Sequence, residues 1–412
     1  ILPRVQKPAR YTGGEYNQII KNKDEVDVRV AFCFPDTYEI GMSNLGMGIL
    51  YSTMNELPYV WCERVYAPWG DMYEEMKKAD VKLYALESGD PISEHDVLAF
   101  SVGYEMAYTT VLDMMDMAGL SIHSAERTEL LPLVLIGGTA ALNPEPMADF
   151  VDIFLLGEGE EMNNELLALI HEAKQNGWSK AEFLKKACQI GGVYVPSFYT
   201  PVYNGDNTIN HIEVAEGAPE RVTKRIIADL DKVHFPLNPV VPSTEVIHDR
   251  VNLELFRGCV RGCRFCQAGH VYRPIRAKSP ELLIEQGKAL LKNTGCQDIT
   301  LLSLSSSDYR HLSCICDGLL EYCEPRSIGL SLPSLRADNF SIEIMHKLQK
   351  TRKSGLTFAP EAGSQRLRDA INKNVTEEDL LNTCRLAFEG GWNNVKLYFM
   401  LGLPTETEED IL

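Results

Sequence analysis

Three cysteines, Cys259, Cys263 and Cys266, lie within eight residues in the segment Phe256-Arg257-Gly258-Cys259-Val260-Arg261-Gly262-Cys263-Arg264-Phe265-Cys266-Gln267-Ala268-Gly269. Thiolates at C-x-x-x-C-x-x-C spacing on one tight loop can each take a different iron of a [4Fe–4S] cubane, leaving the fourth iron without a protein ligand. Such an open iron lets a small molecule bind the metal directly, and the low potential of a thiolate-bound cluster suits one-electron reduction. Gly258 and Gly262 let the backbone bend round so bulky a group. The same three cysteines with His270, one helical turn past Cys266, also match a closed Cys₃His zinc tetrahedron. A zinc-stabilised scaffold without catalytic activity is therefore the competing reading.

The remaining cysteines, among them Cys33, Cys188, Cys296 and Cys384, have no regular spacing and read as small buried apolar residues. Cys314 and Cys316 sit two apart on an expected helix and point in different directions. Scattered thiols beside one tight trio suit a reducing compartment and a metal site rather than a disulfide framework. The formal net charge of −18 disfavours general affinity for phosphate backbones and anionic lipid. No apolar run approaches the roughly 20 residues needed to span a bilayer, and no leader pattern is visible, so a soluble cytoplasmic protein with no membrane partner is expected. The chain opens on Ile1 and stops at Leu412 just past a motif, so both ends are expected to be boundaries within something longer.

Elements must place the cysteine loop. The 412 residues suggest two or three domains. From Val28 to about Val195, short apolar runs alternate with helical patterns, the signature of βαβ units round a parallel sheet. Strands are expected at Val28–Phe34, Val81–Leu86, Val97–Val102, Leu133–Ile136 and Ile153–Leu156. Helices are expected at Gly46–Asn55, Met72–Lys78, Met106–Met117 and Glu161–Lys174. The expected organisation is an arm over 1–26, a doubly wound, flavodoxin-like α/β domain over 27–195, and a connector over 196–246 with a hairpin turn at Asn204-Gly205. A second α/β domain follows over 247–412. Its strands are expected at Leu253–Phe256, Asp298–Leu304, Ser327–Leu332, Gly355–Ala359 and Asn394–Leu401, with helices at Leu282–Lys292, Leu312–Tyr322, Ile342–Leu348 and Glu377–Phe388. Repeated βα units in one direction predict a partial (β/α)6 TIM-like barrel, with reactive groups at the C-terminal strand ends.

The cysteine spacing, with the aromatic Phe265 before the last cysteine, resembles the radical S-adenosylmethionine (SAM) superfamily. That resemblance implies a [4Fe–4S] cluster whose open iron is chelated by SAM, reductive cleavage to a 5′-deoxyadenosyl radical, and an electron donor such as a flavodoxin or ferredoxin. Ser303-Leu304-Ser305-Ser306-Ser307-Asp308-Tyr309 lies where the family carries a Gly-Gly-Glu-like motif. Ser331-Leu332-Pro333-Ser334-Leu335-Arg336 and Ala359-Pro360-Glu361-Ala362-Gly363 resemble its SAM-contacting edges. Gly402-Leu403-Pro404-Thr405-Glu406-Thr407 resembles a late strand ending of methylthiotransferase-like members, or reads simply as a helix-capping turn. The resemblance thus implies SAM contacts from Phe265, Ser305, Ser306, Ser331, Arg336, Glu361 and Gly402. The substrate and the reaction catalysed on it stay open.

With Gly137-Gly138 and Gly157-Glu158-Gly159-Glu160 at successive strand ends, the first domain resembles the cobalamin-binding domains that precede many radical SAM domains. Ala9-Arg10-Tyr11 and Asn143-Pro144-Glu145-Pro146 extend the likeness to an uncharacterised family of such fusion proteins. Its implied cobalamin contacts are Asn44, Gly46, Ser101, Gly103, Gly137, Gly138, Gly157 and Glu158, where tight turns are the alternative explanation of the glycines. The usual axial histidine is missing between Val28 and Gly46, with Asn44 in the nearest place, so cobalamin is expected without a protein imidazole. A cobalamin-linked C-methyltransferase is the leading expectation. The alternative is methylthiotransferase-like or RNA-modifying chemistry without cobalamin, which draws on the cations Arg257, Arg261, Arg264, Arg273, Arg276 and Lys278. Pairing of those cations with Asp249 and Glu254 is the plainer account.

Overall fold

The computed structural model describes residues 1–333, 335–339, 341–348 and 355–412, and divides into two compact units. Ser334, in the Ser331–Arg336 segment, lies outside the described residues. The first unit comprises Ile1–Ile227 and Val233–His248, the second Ala228–Lys232 and Asp249–Leu412. No described helix is long and apolar enough to cross a membrane.

In the first unit the order is β1 (Val28–Phe34), α1 (Tyr38–Gly41), α2 (Leu45–Asn55), β2 (Val60–Tyr66), α3 (Gly70–Ala79), β3 (Val97–Ser101), α4 (Tyr108–Ala118), β4 (Leu133–Gly137), β5 (Ile153–Leu155), α5 (Gly159–Asn176), α6 (Lys180–Ala187) and β6 (Val193–Tyr194). Strands run β2-β1-β3-β4-β5-β6, parallel except for β6 against β5. Alternate side chains of a strand leave opposite faces, and here each face meets its own core. Val28, Val30 and Phe32 join Met47, Tyr51, Leu166 and Phe183, while Ala31 and Cys33 join Met72, Met76, Val111 and Met114. A sheet covered on both sides explains why its strands read as unbroken apolar runs. Successive strands are added to opposite sides of β1, β2 on one side and β3 on the other, so the C-terminal ends of β1 and β3 form the crevice expected of a doubly wound sheet. The Asn204-Gly205 turn joins β7 (Tyr199–Tyr203) to β8 (Ile209–Val214) in an antiparallel hairpin, as expected.

One expected strand is displaced. Val81–Leu86 forms no strand; Tyr84 makes only an isolated bridge to Pro91. The sheet edge is β2 instead, whose buried run Val60-Trp61-Cys62-Glu63-Arg64-Val65-Tyr66 contains two charges. Glu63 pairs with Arg29 at 2.6 Å and accepts from or pairs with His95 at 2.8 Å, and Arg64 pairs with Glu15 and Glu87. Charge inside the run disguised it, and partners distant in sequence make its burial tolerable.

The second unit runs β9 (Val251–Glu254), β10 (Phe256–Arg257), α7 (Gln267–Val271), β11 (Arg276–Ala277), α8 (Pro280–Thr294), β12 (Asp298–Leu302), α9 (Leu312–Cys323), β13 (Gly329–Ser331), α10 (Ile342–Leu348), β14 (Leu356–Glu361), α11 (Gln365–Ala370), α12 (Glu377–Glu389), β15 (Val395–Phe399) and α13 (Glu408–Ile411). Its parallel strands form two groups among the described residues, β13-β12-β9 and β14-β15. The βα repeats of a TIM-like barrel are in place, and the loops after the strands carry the residues considered next.

Candidate functional site

The cysteine loop hangs from a short clip. β10 pairs antiparallel with β11, Phe256 opposite Ala277, and residues 258–275 form the excursion between them. At the neck Gly258 has φ +90, and a Cβ there would lie 2.7 Å from the carbonyl oxygens of Tyr272 and Pro274. Only glycine lets the two sides of the neck close. Cys259, Cys263 and Cys266 are half-buried free thiols. The Arg261 N–H donates to Cys259 Sγ and the Gly269 N–H to Cys266 Sγ, both at 3.4 Å. Hydrogen bonds to sulfur tune the potential of a bound cluster.

Among the described residues no three His, Cys, Asp or Glu side chains are grouped to hold a single metal ion, and His270 is exposed. The Cys₃His tetrahedron is thus not formed. In a cubane each thiolate binds a different iron, so convergence on one point is not required. Three sulfur donors on one loop fit that group by their chemistry.

The loop is fastened on two sides. Arg261 donates through Nε and Nη2 to Asp308, at 2.9 and 2.5 Å, and through Nη1 to Asp338 at 3.0 Å. On the other side the Arg264 N–H meets Ile371 O at 2.9 Å and Asn372 Nδ2 meets Gly262 O at 2.8 Å. Phe265 packs against Ala362, Leu367, Ile371 and Leu403, with the Lys373 ammonium 5.9 Å from its ring.

The residues singled out for SAM fall into two sets. Phe265, Ser305, Arg336 and Glu361 are linked through this network: Ser305 donates to Asp308 at 2.7 Å, Arg336 to Asp338 at 2.8 Å and to Lys373 O, and Glu361 pairs with Lys373 at 3.0 Å. Glu361 holds φ +70, a strained conformation for a residue other than glycine. The other three are engaged locally. Ser306 is fully buried and donates to Leu301 O, Ser331 bonds Thr300 across β12 and β13, and the Gly402 N–H donates to Glu406. Thr407 caps α13.

Asp308, Asp338 and Lys373 were not singled out from the sequence, and Arg261 was counted only among surface cations. The available signal was position, since Asp308 and Asp338 lie in the segments that follow β12 and β13. Burial raises the Asp308 carboxyl, but hydrogen bonds from Arg261 and Ser305 outweigh it, so Asp308 titrates below the ordinary carboxylate range. Glu254 pairs with Arg257 at 2.9 Å, and Lys278 is buried beside Gln286. Arg264, Arg273 and Arg276 donate to backbone carbonyls of their own unit. Much of the cationic patch is thus spent internally.

In the first unit Ser101 and Gly137 pair at the ends of β3 and β4, and Gly103 lies in open space beyond. Asn44 caps α2, its side chain accepting from Met47 N–H at 3.1 Å, with Gly46 in the first turn. Gly138 has φ +93 and ψ −173, and a Cβ there would fall 2.5 Å from Val102 O. Here the close approach that demands glycine is made by the neighbouring strand end. Gly157 bridges Arg225, the Glu158 N–H donates to Arg225 O, and the Glu158 carboxylate accepts from Ile227 N–H. Residues 225–227 therefore cap the end of β5. Gly138→Ala should destabilise the first unit by about 1–3 kcal/mol, the order of cost of a side chain in a glycine-only backbone region. Chemical denaturation reads this, and an unchanged midpoint would mean that the turn relaxes freely.

Comparison with known proteins places residues 46–196 in a family described as radical SAM proteins, N-terminal, and residues 253–412 in the radical SAM superfamily. An uncharacterised protein of Methanocaldococcus jannaschii, MJ0966, is 27% identical over 93% of this chain and 71% of its own length. The solved structure of OxsB, a cobalamin-dependent S-adenosylmethionine radical enzyme with aqua-cobalamin and S-adenosylmethionine bound, matches 93% of this chain. The match has TM-score 0.58 and 16% identity, and this chain spans 51% of that protein. TsrM from Kitasatospora setae, a radical SAM methyltransferase, matches 93% of this chain and 70% of its own, with TM-score 0.56 and 12% identity. At such identities the structural matches bear on the fold.

Proposed function

We propose that this chain, which belongs to the radical SAM superfamily and is an enzyme, pairs a cluster-binding barrel with a cobalamin-binding first unit and acts as a C-methyltransferase. The observation that supports the radical half is the loop of three free thiols at C-x-x-x-C-x-x-C spacing, carried between β10 and β11. When bound, a [4Fe–4S] cluster supplies the low-potential electron for reductive cleavage of SAM. The chain's own contribution is placement. Cys259, Cys263 and Cys266 hold the metal, Phe265 seats the loop against Ala362 and Leu403, and Ser305, Arg336 and Glu361 offer polar contacts to the cofactor. The cobalamin half is supported by the doubly wound first unit, by the exposed crevice residues round Gly103, and by what OxsB binds. Asn44 already caps a helix, which agrees with cobalamin held without a protein imidazole.

The chemistry requires a one-electron reductant and a substrate, and we assign the first role to a flavodoxin or ferredoxin. Eleven cysteines free of disulfides suit the cytoplasm as the site of action. The test is anaerobic reconstitution with iron and sulfide, then reduction with SAM present and chromatography for 5′-deoxyadenosine. Iron–sulfur absorbance with product formation is expected, and colourless protein holding only zinc sinks the radical reading. Added cobalamin should co-elute with the protein; product formation without retained cobalamin removes the methyltransferase half alone.

A further inference from the structure

We propose that Arg261 is a positioning residue, which holds the cysteine loop in ligand-ready form before any iron arrives by pinning it to the loops that follow β12 and β13. This rests on the reading of Cys259, Cys263 and Cys266 as cluster ligands and goes beyond it.

The loop needs such a device. Residues 258–266 contain no helix and no ladder beyond the clip, and the one backbone bond within the cysteine run is Cys266 N–H to Cys263 O at 3.2 Å among those described. Ordering a residue costs about 1–2 kcal/mol of backbone entropy, so a free loop would sample many arrangements of its sulfurs. Arg261 stands two residues from both Cys259 and Cys263, where one anchor governs both.

The anchor is over-determined. A guanidinium fork reaches two acids on two separate loops, with a bidentate pair to Asp308 and a single bond to Asp338. Asp308 is oriented in turn by Ser305 Oγ at 2.7 Å and Asn339 Nδ2 at 3.4 Å, and Asp338 by Arg336 at 2.8 Å. Planar donors in fixed directions suit this arrangement; an ammonium offers one point charge and cannot span both carboxylates in the same geometry. The other arginines of the loop differ. Arg264 and Arg273 donate to backbone carbonyls of Ala370 and Arg261.

Amide hydrogen exchange on the iron-free full chain tests this directly. In Arg261→Met, and also in Arg261→Lys, amides of residues 259–266 should exchange at least about tenfold faster than in the wild type, with the first unit unchanged. Iron uptake in competition with a ferrous chelator should weaken by about 10–100-fold, the range typical of lost outer-shell partners. If Arg261→Met also loosens α8 and β12, Asp338→Asn, which removes one anchor, decides: local loosening at 259–266 supports the role. Loop exchange and chelator competition matching the wild type overturn it. Wild-type protein that takes up no iron sinks the cluster reading instead, and the exchange data still report on the anchor.

Discussion

Replacing any one of Cys259, Cys263 and Cys266 by alanine should remove the iron–sulfur absorbance and the proposed SAM cleavage together, with a loss exceeding the about 10–100-fold that follows from losing an outer-shell partner. No grouped set of His, Cys, Asp or Glu side chains stands elsewhere among the described residues to take up the cluster. The remaining cysteines are poor substitutes. Burial pushes the Cys33 and Cys62 thiols well up, so they stay protonated where a metal needs thiolate. Cys314, exposed on α9, supplies the control, since Cys314→Ala should retain full iron and sulfide content. Iron and sulfide per chain, with chromatographic assay of 5′-deoxyadenosine, reads all four variants. A single-cysteine variant that keeps its cluster and its product would remove that residue from the ligand set.

Arg64→Met should cost the first unit about 3–5 kcal/mol, the range for breaking a buried ion pair by removing one partner. The side chain is buried between Glu15 at 2.9 Å and Glu87 at 2.6 Å, with Tyr38 donating to the same Glu15 carboxylate. Without the cation, two carboxylates are left in the core. The deficit should depend on pH. Burial raises the Glu87 carboxyl and Arg64 pulls it partly back, leaving it net raised. A carboxyl raised by folding contributes stability fully below its unfolded value of about 4.3, and that contribution is lost as pH rises through its folded value. Removing Arg64 lifts the folded value further, so the gap between variant and wild type widens as pH rises past the raised wild-type folded value and narrows on acidification. Denaturation curves followed by tryptophan fluorescence at about pH 5 and about pH 8 test this, because Trp61, Trp69 and Trp178 all lie in the first unit. An equal deficit at both would show that Glu87 takes no part.

Arg64 also explains how the arm before β1 is held. Glu15 belongs to that arm, and Arg10 donates to Glu39 at 2.8 Å further along it. The arm is thus tied to the edge strand β2 by the Arg64–Glu15 pair, while the backbone of that edge at Arg64 is met by the Leu86 N–H, which donates to Arg64 O at 2.9 Å.

What could be read from the chain alone was local. The three thiols, the alternation of apolar runs with helical spacing, and the Asn204-Gly205 hairpin each depend on residues within a few positions of one another, and their physics is complete inside that window. Relations between distant residues were decided by the tertiary structure. β2 was hidden because the partners that neutralise Glu63 and Arg64, namely Arg29, His95, Glu15 and Glu87, are scattered from residue 15 to residue 95. Gly138 and Gly157 were visible as glycines, but that Val102 and Arg225 are what approach them was not. Arg261 looked like one surface cation among several until Asp308 and Asp338, 47 and 77 residues away, closed round it. Spacing specifies which donors a loop can offer, whereas the charge partner that holds the loop in place is chosen by the packing of strands far apart in sequence.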